Sequence, residues 1–318
     1  MAQEDCALVA DAKKIPVEPV TYTYTEAFFL HVSRDVILYN LGIGATETDL
    51  QWVYEGDDEF QALPTFGVIP QFHASGSIPL DWLPDFNPAK LLHGEQFLSI
   101  KALIPTSGEL ISTARLLEVL DKGKAAAVTS VVETRDKSGK LIFENQSTVF
   151  IRGSGGFGGA RTGSDRGSAI AENAPPKRSP DAVVEEKTTS FPSSTVPVDP
   201  CSLDHASSCL TQDRRLSGDA NPLHILPEFA AIGGFNKPIL HGLCSMGISG
   251  KHVFQKFGAY KDIKVRFAGV VYPGETLVTK MWKDGQKVIF VAKVKERNTV
   301  VLASAGATLV SDGAKAKL

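Results

Sequence analysis

The chain has 318 residues, 43% of them hydrophobic and 22% charged, with a formal net charge of −3. That length and apolar content can bury one large core or two ordinary ones. The balanced charge, with no basic run and no interleaved Arg and aromatic residues, excludes a nucleic-acid binder, and no apolar run is long enough to span a bilayer.

In chain order, the first ten residues carry Glu4 and Asp5 where a secretory signal would be basic. A helix is predicted from Thr25 through Phe28 and Leu30 to Asn40, stopped by Leu41-Gly42, with a mixed face of Phe28, His31, Val32, Asp35 and Leu38. A second candidate helix opens at Pro64-Thr65-Phe66-Gly67-Val68-Ile69. From Gln96 to Ile151 the segments FLSIKALI, ELISTARLLEVL, AAAVTSVVETR and LIFENQSTVFI read as an antiparallel meander with Gly-containing turns at Gly108, Gly123 and Gly139.

A Gly-rich run, Gly153 to Gly159, and a Pro/Ser/Lys-rich stretch to about Pro200 follow. The run lacks the Gly-Lys-Ser/Thr ending of a nucleotide phosphate loop, and its low apolar content predicts a surface linker.

A third helix is predicted from Pro238 through Phe257, then a second meander: IKVRFAGVVY, ETLVTKMWK, KVIFVAKVKE and VVLASAGATLV, divided at Pro273-Gly274, Lys283-Asp284-Gly285 and Arg297-Asn298. Details recur between the halves: Pro105 to Leu110 precedes a long strand in the first, Pro273 to Leu277 in the second. The layout is an internal duplication, and a curved sheet wrapped around a helix, twice over, is an α+β double hot-dog fold. The expected parts are a first hot-dog over 1–152, a linker over 153–200 and a second hot-dog over 201–318. Two such units pair with each other within one chain, and a further homodimer is possible.

Chemistry concentrates in Gly218-Asp219-Ala220-Asn221-Pro222-Leu223-His224 and Pro238-Ile239-Leu240-His241-Gly242-Leu243-Cys244. Asn221-Pro222 looks like a helix cap with proline at the first helical position. Asp219 then lies just before the helix and His224 within it, so carboxylate and imidazole can converge on one water, with Asn221 orienting it. Gly242, at the start of the third helix, offers a backbone N–H at the positive dipole end, where it can hold a thioester oxygen as it becomes an enolate. That is a constellation for adding water to an activated alkene. Taken alone, the triplet also fits plain capping by Asp219 and Asn221 and a hydrogen-bonded core His224.

His241-x-x-Cys244 has the spacing of a metal pair, but no partner pair exists, so both are read as buried on the helix and no metal is assigned. The four cysteines, Cys6, Cys201, Cys209 and Cys244, form no CxxC pair and no even-spaced framework, which points to a reducing compartment.

The chain resembles the 2-enoyl-CoA hydratase 2 unit of peroxisomal multifunctional enzymes, within the MaoC-like double hot-dog family. The likeness runs from about Tyr22 to Val310 through YTYTEAF, YEGDDEF, LPTFGVI, LLHGEQFL, VLDKG, GSGGFGG, RLSGDANPLH, GGFNKPILHGLC, RFAGVVYPGETL and MWKDG. It implies that Asp219, Asn221 and His224 are catalytic and that Gly242 is the oxyanion glycine. It further implies substrate contacts from His93, Gly94, Lys122 and Phe267, and a first half that has lost its own site and shapes a tunnel for the acyl chain.

Two departures from the family pattern stand out. Where the family continues its histidine with Ile-Asp-Pro, this chain has Ile225-Leu226-Pro227, without an aspartate to cap the next helix. Phe191 to Asp213 is longer and richer in Pro, Ser and Cys than the family's short helix, and resembles an insertion beside the active site. Whether it disorders, covers the tunnel mouth or displaces the supporting helix stays open at this level.

The resulting expectation is reversible hydration of trans-2-enoyl-CoA to (3R)-3-hydroxyacyl-CoA, with the stereochemistry taken from the resemblance and no cofactor beyond the CoA of the substrate. The alternatives are an acyl-CoA thioesterase, or an acyl-CoA-binding module with impaired turnover. The last three residues, Ala316-Lys317-Leu318, form a small-basic-Leu tripeptide of the kind read by the peroxisomal import receptor, so the expected location is the peroxisome. The chain ends soon after the second meander, which suggests a stand-alone hydratase without dehydrogenase or sterol-carrier units.

Overall fold

The computed structural model of the chain describes residues 5–23, 34–188 and 221–311. Among these, ten strands form one antiparallel sheet: β1 Val20–Thr23, β2 Leu91–Ile100, β3 Glu109–Asp121, β4 Ala125–Asp136, β5 Leu141–Arg152, β6 Ala182–Lys187, β7 Tyr260–Phe267, β8 Thr276–Asp284, β9 Lys287–Val294 and β10 Thr299–Leu309. Their order is β1-β3-β4-β5-β2-β7-β10-β9-β8-β6. Read from the centre outward the two sides are equivalent, β2 answering β7, β5 answering β10, β4 answering β9, β3 answering β8 and β1 answering β6. The duplication expected from the sequence is therefore carried down to each strand, and the arrangement is a double hot-dog.

The strands form where the chain alternates. In β9, Val288, Phe290, Ala292 and Val294 are buried, while the residues between them are only partly covered. The units join through β2 and β7, with Glu95 opposite Arg266 and Ser99 opposite Asp262.

The described helices are α1 Ala7–Ala12, α2 Arg34–Gly42, α3 Leu50–Val53, α4 Gln71–Gly76, α5 Pro227–Ile232 and α6 Gly242–Phe257. The first residues of the helix expected from Thr25 lie outside the described residues. Its end comes two residues later than expected, at the left-handed Gly44 (φ +87°), where the N–H of Gly44 bonds to Leu41 O at 2.9 Å.

Of the two central helices, only α6 is long. It is buried on nearly every side from Leu243 to Val253, as a helix enclosed by a sheet must be. Its small residues admit neighbours from several sides: a Cβ on Gly247 would meet Ile43 at 2.5 Å, and one on Gly250 would meet the Tyr260 hydroxyl at 2.6 Å and Thr65 at 2.8 Å. The close neighbours thus come from the sheet, from the end of α2 and from the turn at Thr65. The counterpart in the first unit is a 3₁₀ turn, Pro64–Val68, followed by the six-residue α4. Gln96 and Asn145 bind that turn to the sheet: Gln96 Nε2 donates to Asn145 Oδ1 and Asn145 Nδ2 to Gly67 O, each at 2.9 Å. One continuous core, including Trp52, Phe66, Leu98, Phe143, Met246, Tyr260 and Phe290, spans both units.

The segment after Arg152 does more than link. The N–H groups of Gly156 and Gly158 donate to the Asp121 carboxylate at 2.8 and 2.9 Å, joined by Gly123 N at 2.8 Å. The Gly-rich run therefore cradles an anion, but the anion is the protein's own side chain. Farther along, Asn173 Nδ2 donates to Ser304 O at 3.1 Å, and Ala182 to Lys187 form β6 against β8. From β6, Glu186 accepts from the buried His252 at 2.9 Å and pairs with the buried Lys251 at 2.8 Å, both on α6. Lys251 Nζ also donates to Gly44 O, so one cluster holds β6, α6 and the end of α2 together.

Candidate active site

The residues around His224 fold as their chemistry dictates. Asn221 is extended (φ −66°, ψ 116°), and its Oδ1 accepts from Leu223 N at 3.0 Å, which caps a 3₁₀ turn over Pro222–His224. The cap and first-position proline are as the sequence implied. The next helix, α5, has Leu226 at its cap position, where no side-chain cap bond is made, and Pro227 at the first helical position. The missing aspartate is thus a missing cap.

His224 is buried, and its Nδ1 lies 2.9 Å from Ile239 O. A carbonyl oxygen only accepts, so Nδ1 carries a proton, and Nε2 on the other edge is the nitrogen where a further proton is gained or lost. A base needs that tautomer.

Residues 238–240 precede α6 as extended chain because Leu240 pairs with Val271, its N–H donating to Val271 O at 2.7 Å. The helix expected from Pro238 therefore begins four residues later, at Gly242. His241 is its cap: Nδ1 accepts from Leu243 N at 3.0 Å, while His241 O accepts from Cys244 N at 3.1 Å and Ser245 N at 3.3 Å. Of the four N–H groups that open α6, the one on Gly242 alone finds no acceptor among the described residues. A Cβ on Gly242 would stand 2.9 Å from two ring carbons of Phe267, so only glycine lets that N–H and that ring share the space.

These groups open on one cavity of about 650 Å³. Asn221, His224 and Gly242 line it from the second unit, with His241, Phe267, Phe235 and Val271, and the first unit adds Phe72, Leu91, Leu92, His93, Val149 and Arg152. The His93 and Phe267 rings meet across the unit boundary at 4.8 Å, and His93 Nε2 lies 3.1 Å from Glu95 O. Gly94 sits in the β-bulge between His93 and Glu95, with Phe150 only 2.3 Å from where its Cβ would be. It shapes the wall from behind rather than lining it.

Lys122 is elsewhere. It is exposed on the β3–β4 turn with Nζ bonded to Arg161 O at 2.6 Å, and it does not line the cavity. Asp219 lies outside the described residues, as do Phe191 to Asp213, Cys201, Cys209 and Ala316-Lys317-Leu318.

Sequence reasoning missed His241, read there as a buried helical residue. It is half-buried, lines the cavity and packs against His224 with ring centroids 4.7 Å apart and the rings tilted by 48°. Its signal was position, directly before the helix-opening glycine; residue type hid it, since caps are usually Ser, Thr, Asp or Asn. Cys244 is half-buried, its Sγ 3.8 Å from Gly42 O. Among the described residues no group of three or more His, Cys, Asp or Glu side chains is arranged to hold a metal ion. No described helix is long and apolar enough to cross a membrane.

Residues 29–153 match the MFE-2 hydratase 2 N-terminal domain, and residues 173–305 match the MaoC like domain. The chain is 50% identical to a peroxisomal hydratase-dehydrogenase-epimerase of Neurospora crassa over 91% of its own length, and it spans only 30% of that protein. It is 40% identical to the peroxisomal enoyl-CoA hydratase 2 of Arabidopsis thaliana, covering 95% of this chain and 96% of the relative. The crystal structure of a MaoC-like dehydratase from Phytophthora capsici superposes with a TM-score of 0.77 at 34% identity, covering 95% of this chain and 99% of the other. With near-complete mutual coverage of that kind, joined to the two domain matches, the chain belongs to the enoyl-CoA hydratase 2 family of MaoC-like hydratases.

Proposed function

We propose that this protein hydrates trans-2-enoyl-CoA reversibly to (3R)-3-hydroxyacyl-CoA in peroxisomal fatty-acid β-oxidation. The observation that carries the reading is one cavity holding both His224, with its proton fixed on Nδ1, and the Gly242 N–H. Naming of relatives as enoyl-CoA hydratase 2 supports it.

In this reading His224 Nε2 and the Asp219 carboxylate share one water, with Asn221 as its third partner. As the water oxygen bonds to Cβ, the alkene electron pair moves through Cα to the thioester oxygen, which Gly242 N–H receives as an enolate. The proton taken from water passes to the acid/base pair, and one proton returns to Cα to close the cycle. No atom is left over, and no cofactor is required beyond the CoA of the substrate. Acid/base groups so placed contribute ~10²–10⁴-fold and one oxyanion donor ~10²–10³-fold. Gly94, beside the wall, and Lys122, on the turn beyond β3, are assigned to the substrate by the family pattern, together with His93 and Phe267.

The test is incubation with a medium-chain trans-2-enoyl-CoA while enoyl absorbance, free thiol and product chirality are followed, with Asp219→Ala and His224→Ala in parallel. Loss of absorbance, a (3R) product and two inactive variants are expected. Thiol release in place of hydration would make the protein a thioesterase, and binding without either signal would make it an acyl-CoA-binding module. Peroxisomal residence through the import receptor rests on Ala316-Lys317-Leu318 and on the relatives named peroxisomal. A fluorescent fusion lacking the tripeptide should turn diffuse. Light scattering decides whether the paired units assemble further into a homodimer.

A further inference from the structure

We propose that His241 is a positioning residue for the proton transfer, holding His224 by ring contact while its own Nδ1 sets which helix N–H remains for the substrate. The inference rests on the hydration reading above and names a residue to which the resemblance gives no role.

Three observations meet at this side chain. First, its Nδ1 accepts the Leu243 N–H at 3.0 Å, so Nδ1 is unprotonated and the neutral ring carries its proton on Nε2. Protonating Nδ1 would remove the acceptor and set a cation at the positive end of α6, so the cap opposes a proton there. Second, that ring lies 4.7 Å from the His224 ring, tilted by 48°, and meets Phe72 of the first unit edge-on at 5.7 Å and 75°. Third, the cap and the His241 carbonyl between them take the N–H groups of Leu243, Cys244 and Ser245, which singles out Gly242 as the donor.

His224 is therefore held at one edge by Ile239 O and packed against the tilted His241 ring, which is itself braced by Phe72. In the hydration step His224 becomes cationic, and a neighbour whose cap disfavours a second proton does not oppose that charge. The same residue thus aligns the base and selects the oxyanion donor.

Three substitutions separate the two jobs. His241→Asn keeps a capping oxygen without the ring, His241→Phe keeps a ring without the acceptor, and His241→Ala keeps neither. Each is to be measured for melting temperature, for kcat and KM with a medium-chain enoyl-CoA, and by nitrogen NMR of labelled histidine, with the His224 signal assigned by its loss in His224→Ala. The wild type should show His224 protonated on Nδ1 and His241 on Nε2. His241→Asn should melt with the wild type, yet let His224 sample both tautomers and lose about tenfold or more in kcat at unchanged KM, as expected of a misaligned base. His241→Phe should melt lower and keep the His224 tautomer pure. A His241→Asn enzyme with wild-type kcat and an unshifted His224 signal would reduce His241 to a cap and overturn the proposal. If the wild type hydrates nothing, the hydration reading falls by itself, while the His224 tautomer in His241→Asn still decides the positioning claim.

Discussion

Gly242→Ala sets two effects of opposite sign against each other. Alanine is the better helix former by about 1 kcal/mol in a helix interior, so propensity alone predicts a more stable protein. The geometry predicts otherwise. The new methyl would lie 2.9 Å from Phe267 Cδ1 and Cε1 and 3.3 Å from Cγ, against about 3.5–4.0 Å for relaxed carbon contacts. Ring or helix start must yield by roughly 0.6–1 Å. The ring cannot swing away cheaply, because its other neighbour is His93, 4.8 Å away. Overpacking of this kind costs about 1–3 kcal/mol, which outweighs the propensity gain.

The N–H itself survives in alanine, so any loss of rate reports displacement rather than deletion of the donor. A shift near 1 Å is worth about 10²-fold, and that is the expected fall in kcat. The assay is kcat and melting temperature for Gly242→Ala, Phe267→Leu and the double variant, with Phe267→Leu as the baseline for whatever the ring contributes to substrate binding. Removing the ring edge should restore much of the stability and kcat that Gly242→Ala loses. A Gly242→Ala protein that melts higher than wild type would deny the close approach. One that melts lower but turns over normally would deny Gly242 its role as donor.

Four further substitutions probe the frame around the site. Glu186→Ala leaves the buried Lys251 and His252 without their anion and should cost about 3 kcal/mol in denaturant unfolding, the low end for a broken buried pair because Glu186 is partly exposed. Glu185→Ala, which breaks an exposed pair with Lys295, should cost no more than about 1 kcal/mol. The N–H bonds from Gly156, then Gly123 and Gly158, hold the Asp121 carboxyl below its ordinary value of 3.8. A depressed folded-state value gives stability that is full above the unfolded value and is lost as pH falls through the folded one. The gap between wild type and Asp121→Asn in urea unfolding should therefore be constant above about pH 5 and shrink below pH 4, and a gap that widens on acidification would contradict the cradle. Leu226→Asp supplies the cap that α5 lacks and should raise stability by about 1 kcal/mol, read as a higher denaturation midpoint at unchanged slope.

The strands were legible because each buries one face and so alternates, as Lys287 to Val294 does, and because glycine marks the turns. What escaped had local chemistry at odds with its place. Ala182 to Lys187 is short, and with Glu185 and Glu186 it reads as linker, yet it is an edge strand, where charge is tolerated and protective. The helix expected from Pro64 onward is instead a 3₁₀ turn over Pro64–Val68 and, after Pro70, a short helix. The start of α6 was misplaced because the bridge from Leu240 to Val271 is non-local and leaves no mark in the segment itself. At the site, the placement of Asn221, His224 and Gly242 was legible because a cap with proline after it and a glycine before an apolar run both mark helix starts. Which nitrogen of His224 carries the proton depends on Ile239 O, fifteen residues away, and only the fold brings the two together.

The duplication explains why one cavity serves two units. The donor role proposed for Gly242 N–H needs a helix long enough to build a dipole and a start left open toward the cavity, and α6 supplies sixteen residues with a side-chain cap that spares that one group. The matching position in the first unit opens with Pro70, makes no side-chain cap bond and runs for only six residues in α4. Among its described residues that unit has no central helix of comparable length. What it presents is surface: Phe72 against His241, His93 against Phe267, and Leu91, Leu92 and Val149 along the wall. Because β2 and β7 pair at the middle of the sheet, the apolar wall of one unit and the polar helix start of the other face each other across a fixed register. A cavity with chemistry on one side and bulk on the other follows from a symmetric sheet carrying two unequal helices.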